Sequence, residues 1–406
     1  MKKNLLSLFD LRKPLIKKFN YPLQENGFTR EDLVEGVKVL ISRQLTMSKK
    51  TIEFENFFKK QLGLNHCLMV NSGSSANLLA LFTLINPLKK NRLKAGDECL
   101  IPAICWSTSL WPIIQAGLTP KLIDVDINTF SLNLETIKKN ITKKTKAIML
   151  INVLGNCSDI DKIQKFAKKK DIYLIEDNCE SLGSKYKNKY LGTYGDFSSF
   201  SFYYSHQITA GEGGMIACKK KEDYDLLKTL RAHGWDRDSK KNKDKKFNFI
   251  NSGFNLRPLE ISAAIGLNQF KKLSNMKAIR TYNRNKIIYT LKNSDEWKDQ
   301  FTFFNSNKNL KPSWFGFPLL INPKLTHKKE VFLKYLNKNN IETRPIISGN
   351  FINQPAIKLY NIKYNQKDLK NSNEIDQRGF FIGLPTVKLT KSVLDKISYL
   401  LLNISK

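Results

Sequence analysis

Residues 199–214 read SFSFYYSHQITAGEGG. The aromatic, apolar start suggests a strand, Gly211–Gly214 a tight turn, and residues 215–218 (MIAC) a second strand. His206 stands in the polar bend between them. An imidazole on so rigid a base can take up and release a proton near neutral pH, though it has no primary amine. A second group is Asp177, at the end of the apolar run 172–175. A strand of an α/β sheet delivers such a carboxylate to the edge where ligands bind, although a helix N-cap would look the same. The turn Val70-Asn71-Ser72-Gly73-Ser74-Ser75-Ala76-Asn77 leads into an apolar helix over 78–85. Free N–H groups, the positive helix end and the hydroxyls of Ser74 and Ser75 suit a phosphate; a plain serine cap is the alternative. Trp106 follows an apparent strand at 98–103 and reads as a core aromatic or as a flat partner for a ring.

Taken together, these motifs resemble the sugar-aminotransferase family of fold-type I pyridoxal phosphate (PLP) enzymes. The pattern S-F-x(8)-G-E-G-G from Ser201 carries the likeness, which spans roughly residues 30–390. Most members have a lysine at the position of His206, where it holds PLP as a Schiff base. Histidine there resembles the family's 3-dehydratase branch. The resemblance implies PLP, or pyridoxamine phosphate (PMP), bound without a covalent link. It places Ser74, Ser75 and Ser201 on the cofactor phosphate, Trp106 on the ring face and Asp177 on the pyridine nitrogen. Glu180 matches an acidic position of the dehydratase pattern and is expected at the cofactor. In G-F-N, at 253–255, Asn255 is expected to reach the partner subunit's cofactor, which implies a homodimer with shared sites. Residues 230–238 (LRAHGWDRD) resemble the segment that grips a nucleotide-sugar, so His233 and Arg237, with Arg257 nearby, are expected on substrate. The element E-T-R-x(4)-G-N-x(3)-Q-P from Glu342 resembles the same branch; its Arg344 suits a carboxylate or phosphate, or is a surface arginine.

The implied reaction has two halves. L-Glutamate supplies an amino group, giving PMP; PMP then meets a nucleotide-linked 4-keto-6-deoxyhexose, whose C3 hydroxyl leaves. The product is a 4-keto-3,6-dideoxy sugar for lipopolysaccharide O-antigen, with ammonia released. CDP-sugar members carry an iron–sulfur cluster on cysteines after the H-G-x-D-R segment, whereas this chain has no cysteine beyond Cys218. Thiolates are the usual cluster ligands. A GDP-linked substrate, with no metal and no reductase partner, is therefore expected. An aminotransferase, a cluster-free CDP-sugar dehydratase and an inactive binding relative are the alternatives.

Positioning these residues needs alternating strands and helices. Apolar runs at 98–103, 122–126, 147–153 and 172–177, separated by helix-like segments, predict α/β architecture with a mostly parallel sheet. An arm over 1–28, a large PLP-binding domain over 29–274 and a smaller α+β domain over 275–406 are expected. The smaller domain should hold a strand at 314–319. Leu33, Val34, Val37, Leu40 and Ile41 predict one apolar helix face, and residues 50–62 a second amphipathic helix.

Composition narrows the function classes. The 406 residues carry a net charge of +32, yet only eleven of the 68 basic residues are arginine. Scattered lysine lacks the guanidinium fork that reads nucleic acid, so no nucleic-acid role is expected; positive potential does favour an anionic nucleotide-sugar. The Lys-rich run 240–246 reads as a surface loop. No apolar run approaches the roughly 20 residues of a membrane span, and charges at 10–13 interrupt any signal-peptide core. Six cysteines in apolar or mixed segments suggest reduced core residues of a cytoplasmic protein.

Overall fold

The computed structural model describes residues 20–24, 27–236, 247–304 and 307–405. Its first helices are α1 (Arg30–Ser42), α2 (Lys49–Leu62), α3 (Gly73–Leu84), α4 (Ser107–Gln115), α5 (Leu134–Asn140), α6 (Ile160–Lys169), α7 (Lys221–Arg231) and α8 (Glu260–Lys292). Between them lie strands β1 (His66–Val70), β2 (Glu98–Pro102), β3 (Thr119–Ile123), β4 (Thr145–Ile151), β5 (Tyr173–Asp177), β6 (Lys185–Tyr186), β7 (Lys189–Tyr190), β8 (Phe197–Ser201) and β9 (Gly214–Cys218).

Seven of these strands form one sheet in the order β1-β9-β8-β5-β4-β2-β3. Neighbours from β8 to β3 run parallel, while β9 is antiparallel to β8 and β1. Helices cover the strands, which is why β2, β8 and β9 are buried at every residue and, Glu98 at the start of β2 apart, read as apolar or small-residue runs. Register then gathers the motifs at one edge. Gly214 lies between Val70 and Ser201, and Asp177 pairs with Ser199.

Two boundaries differ from expectation. Strand β3 occupies Thr119–Ile123 rather than 122–126, because the Asp124 carboxylate leaves the ladder to accept N–H bonds from Asn371 and Ser372 at 2.9 and 2.8 Å. Helix α3 starts at Gly73, five residues early, with Ser72 as its N-cap accepting from Ser75 N–H. The serines therefore form the first helical turn itself.

A second, antiparallel sheet has the order β10 (Phe301–Phe303), β12 (Phe317–Ile321), β14 (Gly379–Ile382), β13 (Thr343–Arg344), and β11 (Leu310–Lys311) joins β6 and β7. Around it lie α9 (Lys329–Lys338), α10 (Lys370–Arg378) and α11 (Lys391–Leu402). The strand expected at 314–319 begins only at Phe317. Before it the chain presses on a turn: a Cβ on Gly155 would sit 2.3 Å from the Ser313 carbonyl oxygen. The expected domain boundary near 275 falls inside α8, a 33-residue helix without proline. Its first half packs with Phe54, Phe58 and Phe202, and its second half places Ile287 and Leu291 in the core of the antiparallel sheet. What the structure describes of the N-terminal arm is also bound: Tyr21 pairs with Ile341 and donates to the Gly383 carbonyl at 2.9 Å. Among the described residues no helix is long and apolar enough to cross a membrane.

Candidate active site

Asp177 closes β5 and is 5% exposed. Its Oδ2 accepts from Asn77 Nδ2 at 2.8 Å and from Ser109 Oγ at 2.7 Å, and its Oδ1 from Cys179 N–H at 3.1 Å. Asn77 comes from the first turns of α3 and Ser109 from the first turn of α4. Two helix N-termini thus converge on one carboxylate, and each such bond to a charged acceptor contributes about 1.5–3 kcal/mol. Neither partner was singled out in the sequence; the available signal is a polar residue spaced to fall on the buried side of an otherwise apolar helix.

The serine turn lies beside Asp177. Ser74 Oγ meets Thr108 Oγ1 at 2.8 Å, joining α3 to α4, and Ser75 Oγ donates to Asn71 at 2.6 Å. Close approach explains the small residues. A Cβ on Gly73 would stand 2.7 Å from both Cys179 Sγ and Ser201 Cβ, and one on Gly214 2.6 Å from Gly73 N. The structure therefore brings Ser74, Ser75, Ser201 and the G-E-G-G turn together around the N-terminus of α3. Trp106 caps α4 and leaves 56% of its surface exposed, unlike the core aromatic that was the alternative.

Glu176, buried next to Asp177, is structural. Its carboxylate accepts from the N–H groups of Gly192, Tyr194 and Gly195, pinning the turn that feeds β8. Glu180 lies in a turn, not a helix. Its Oε2 accepts from Leu154 N–H at 3.0 Å, and burial raises its pKa to about 7.

His206 follows β8 in the bend expected for it. The ring is held edge-on by Tyr203 (5.8 Å, 89°) and Phe315 (5.1 Å, 86°). The neighbouring Gln207 amide donates to the carbonyls of Glu180 and Ser313, so the bend is fastened to the turn after β5. Burial, and secondarily the Arg280 charge, lower the imidazole pKa to about 3. At neutral pH it is a free base.

The remaining expected residues are more scattered. His233 is exposed in a left-handed conformation (φ 62°), its N–H bonded to the Phe254 carbonyl at 2.8 Å. Asn255 is exposed and accepts from Arg257 Nε at 3.0 Å. Both are tied to the serine turn, since Asn71 N–H donates to the Leu256 carbonyl at 3.1 Å. Arg344 is exposed and pairs with Glu342 at 3.1 Å rather than joining the site. The segment after it does reach the site: Ser348 Oγ donates to the Cys105 carbonyl at 2.5 Å, just before Trp106. Arg237 and the run 240–246 lie outside the described residues.

Phosphate donors at a helix end, an exposed indole and a buried carboxylate make a cradle that fits PLP. Comparison with known proteins agrees. The model of the DegT/DnrJ/EryC1/StrS aminotransferase family matches residues 28–398. The chain is 37% identical over 392 residues to GDP-4-keto-6-deoxy-D-mannose 3-dehydratase of Escherichia coli O55:H7, covering 94% of this chain and 98% of that protein. It is similar to a solved GDP-4-keto-6-deoxymannose-3-dehydratase with a trapped PLP–glutamate geminal diamine (TM-score 0.87, 36% identity, 95% and 100% covered). A variant of that enzyme with bound GDP-perosamine also has a TM-score of 0.87, at 35% identity over 94% of this chain and 100% of the other.

Proposed function

This chain belongs to the DegT/DnrJ/EryC1/StrS aminotransferase family, and we propose that it is a PLP-dependent 3-dehydratase acting on GDP-4-keto-6-deoxymannose, with L-glutamate as amino donor. The observation that carries this reading is His206, an imidazole where most family members place a lysine amine. When bound, PLP or PMP supplies an electron sink for carbanion chemistry next to its ring. Ser74, Ser75 and Ser201 hold its phosphate, Trp106 covers one face, and Asp177 holds the proton on the pyridine nitrogen. Glu180, on the turn after β5, is set at the cofactor. His206 takes the proton at C4′ and returns it to the oxygen leaving C3. Because the side chain cannot condense with a carbonyl, no internal amine competes to complete transamination, and loss of the hydroxyl prevails.

A homodimer with shared sites is part of the proposal. The apolar stripe legible on α1 packs inward only in part: Asp32, Gly36 and Val39 are the buried face of the helix, Leu33, Val34 and Val37 are half-buried, and Leu40 and Ile41 are 52% and 67% exposed. Ile52 (56%) and Leu259 (53%) extend the patch. Thr46 pairs with Leu259, and the Glu260 carboxylate accepts N–H bonds from Ser48, Lys50 and Thr51. A contiguous apolar surface two residues from Arg257 is the kind that a second copy covers. Asn255, exposed beside it, is then available to the partner's site.

Product mass tests the reaction. Purified chain with PLP, L-glutamate and GDP-4-keto-6-deoxymannose is expected to give a sugar that has lost oxygen and kept no nitrogen, with free ammonia. Nitrogen retained in the sugar would make it an aminotransferase.

A further inference from the structure

Helix α4 carries much of the site yet does little to fix its own start. Its N-cap is Trp106, whose side chain has no oxygen to accept from the first free N–H groups. Pro112 leaves the Thr108 carbonyl without its helical donor, and Asn77 Nδ2 fills that place at 3.4 Å. The hydroxyls of the first turn are committed to the site: Thr108 meets Ser74, and Ser109 donates to Asp177. A nine-residue helix built this way is marginal by itself. Its direction, and with it the aim of the Trp106 indole, is set from outside.

The segment after β13 supplies that hold. Phe351 N–H donates to the Ala103 carbonyl at 2.8 Å, and Asn350 forms an antiparallel bridge with Ile104. The Phe351 ring meets Trp111 of α4 edge-on (5.4 Å, 74°). Ser348 Oγ then reaches the Cys105 carbonyl, the last one before Trp106, at 2.5 Å. The turn that aims this hydroxyl is closely determined. Gly349 N–H donates to the Ile346 carbonyl at 3.0 Å, and Gln354 Nε2 to the Ser348 carbonyl at 3.2 Å. Gly349 is left-handed (φ 72°), and a Cβ there would collide with the Asp376 carboxylate. Ile347 is left-handed as well (φ 52°). A β-branched residue rarely adopts that conformation, which persists only where the surroundings impose it and gathers at ligand clamps.

We propose that Ser348 is a positioning residue: its bond to the Cys105 carbonyl fixes the backbone before Trp106 and so holds the indole in place for the cofactor ring. This rests on Trp106 covering that ring, as proposed above. An indole with 56% of its surface exposed has few neighbours of its own to fix it. Locking the peptide ahead of it restricts how far the ring can swing. Freedom removed before the cofactor arrives is not lost on binding, so affinity rises. The strained turn is the device that presents the hydroxyl at this one carbonyl.

The test is a double-mutant cycle on PLP affinity in the full chain, combining Ser348→Ala with Trp106→Leu. Ser348→Ala alone is expected to weaken PLP binding by about threefold to tenfold, the range of one neutral hydrogen bond. In the Trp106→Leu background the same change should cost less than about twofold, because no indole remains to be aimed. A second readout needs no cofactor. In the cofactor-free chain labelled with 5-fluorotryptophan, the Trp106 line, assigned by its loss in Trp106→Leu, should broaden or split in Ser348→Ala while the Trp297 line stays as it is. Equal losses of affinity in both backgrounds, or a Trp106 line that does not respond, would overturn the proposal and leave Ser348 a plain tether between two segments. If Trp106→Leu bound PLP as tightly as the wild type, the placement of the indole on the ring would fall instead, and the Trp106 line would still decide whether Ser348 fixes that side chain.

Discussion

At the scale of single residues, the site separates carboxylates by their surroundings. Asp177 accepts three hydrogen bonds, whereas Glu180 accepts from Leu154 N–H and has a pKa raised from 4.5 to about 7 by burial. Raised in the folded state, Glu180 holds its proton more tightly there than in the unfolded chain. The stabilisation this gives is complete below about pH 4.5 and is lost as pH rises through about 7. Glu180→Gln, which keeps an acceptor for Leu154, should therefore match the wild type in acid and exceed it by about 1–2 kcal/mol at pH 8. Urea midpoints at pH 5 and pH 8 read this directly; an equal difference at both would show that Glu180 is ionised throughout. Residue types in the sequence pointed to His206, Asp177 and Trp106 because each breaks a local pattern. Asn77 and Ser109 were not legible, since a polar residue inside a helix acquires meaning only when the register shows what it faces.

At the scale of elements, the position of the site depends on how closely α3 meets the sheet. Gly73 is one of the tightest points, with Cys179 and Ser201 both 2.7 Å from where a Cβ would go. Gly73→Ala should push the first turn away from Ser201 at a cost of about 1–3 kcal/mol. The expected result is a cooperatively folded protein whose PLP affinity falls about tenfold or more, measured by quenching of intrinsic fluorescence on titration with PLP; tenfold corresponds to about 1.4 kcal/mol. Unchanged affinity would mean that the phosphate is not held at this helix end. Strand identities were readable because strands buried on both faces show as continuous apolar runs. Their ends were less so. Where β3 stops is decided by Asp124 bonding to residues about 250 positions away, and the continuity of α8 across two cores by packing at both its ends. Neither leaves a mark in local sequence.

At the scale of the whole molecule, the apolar stripe on α1 was legible and its destination was not. Periodicity marks a face for burial, but does not say whether the same chain or another buries it. In this chain Gly36 and Val39 face α8, while Leu40, Ile41, Ile52 and Leu259 face outward. Charge placed there should keep two copies apart: Ile41→Glu with Leu259→Glu is expected to sediment as a monomer and to lose dehydration. Complementation asks the sharper question. If Asn255 serves the partner's cofactor, a dimer of His206→Asn with Asn255→Ala has one site with both defects and one with none. Random mixing makes about half the dimers mixed, so refolding the two inactive variants together should restore about one quarter of the wild-type rate. If each site were built within one chain, every site in the mixture would carry a defect and no activity would return. Recovery after co-refolding, with none when the two variants are refolded separately, would establish that the catalytic unit is the pair of chains.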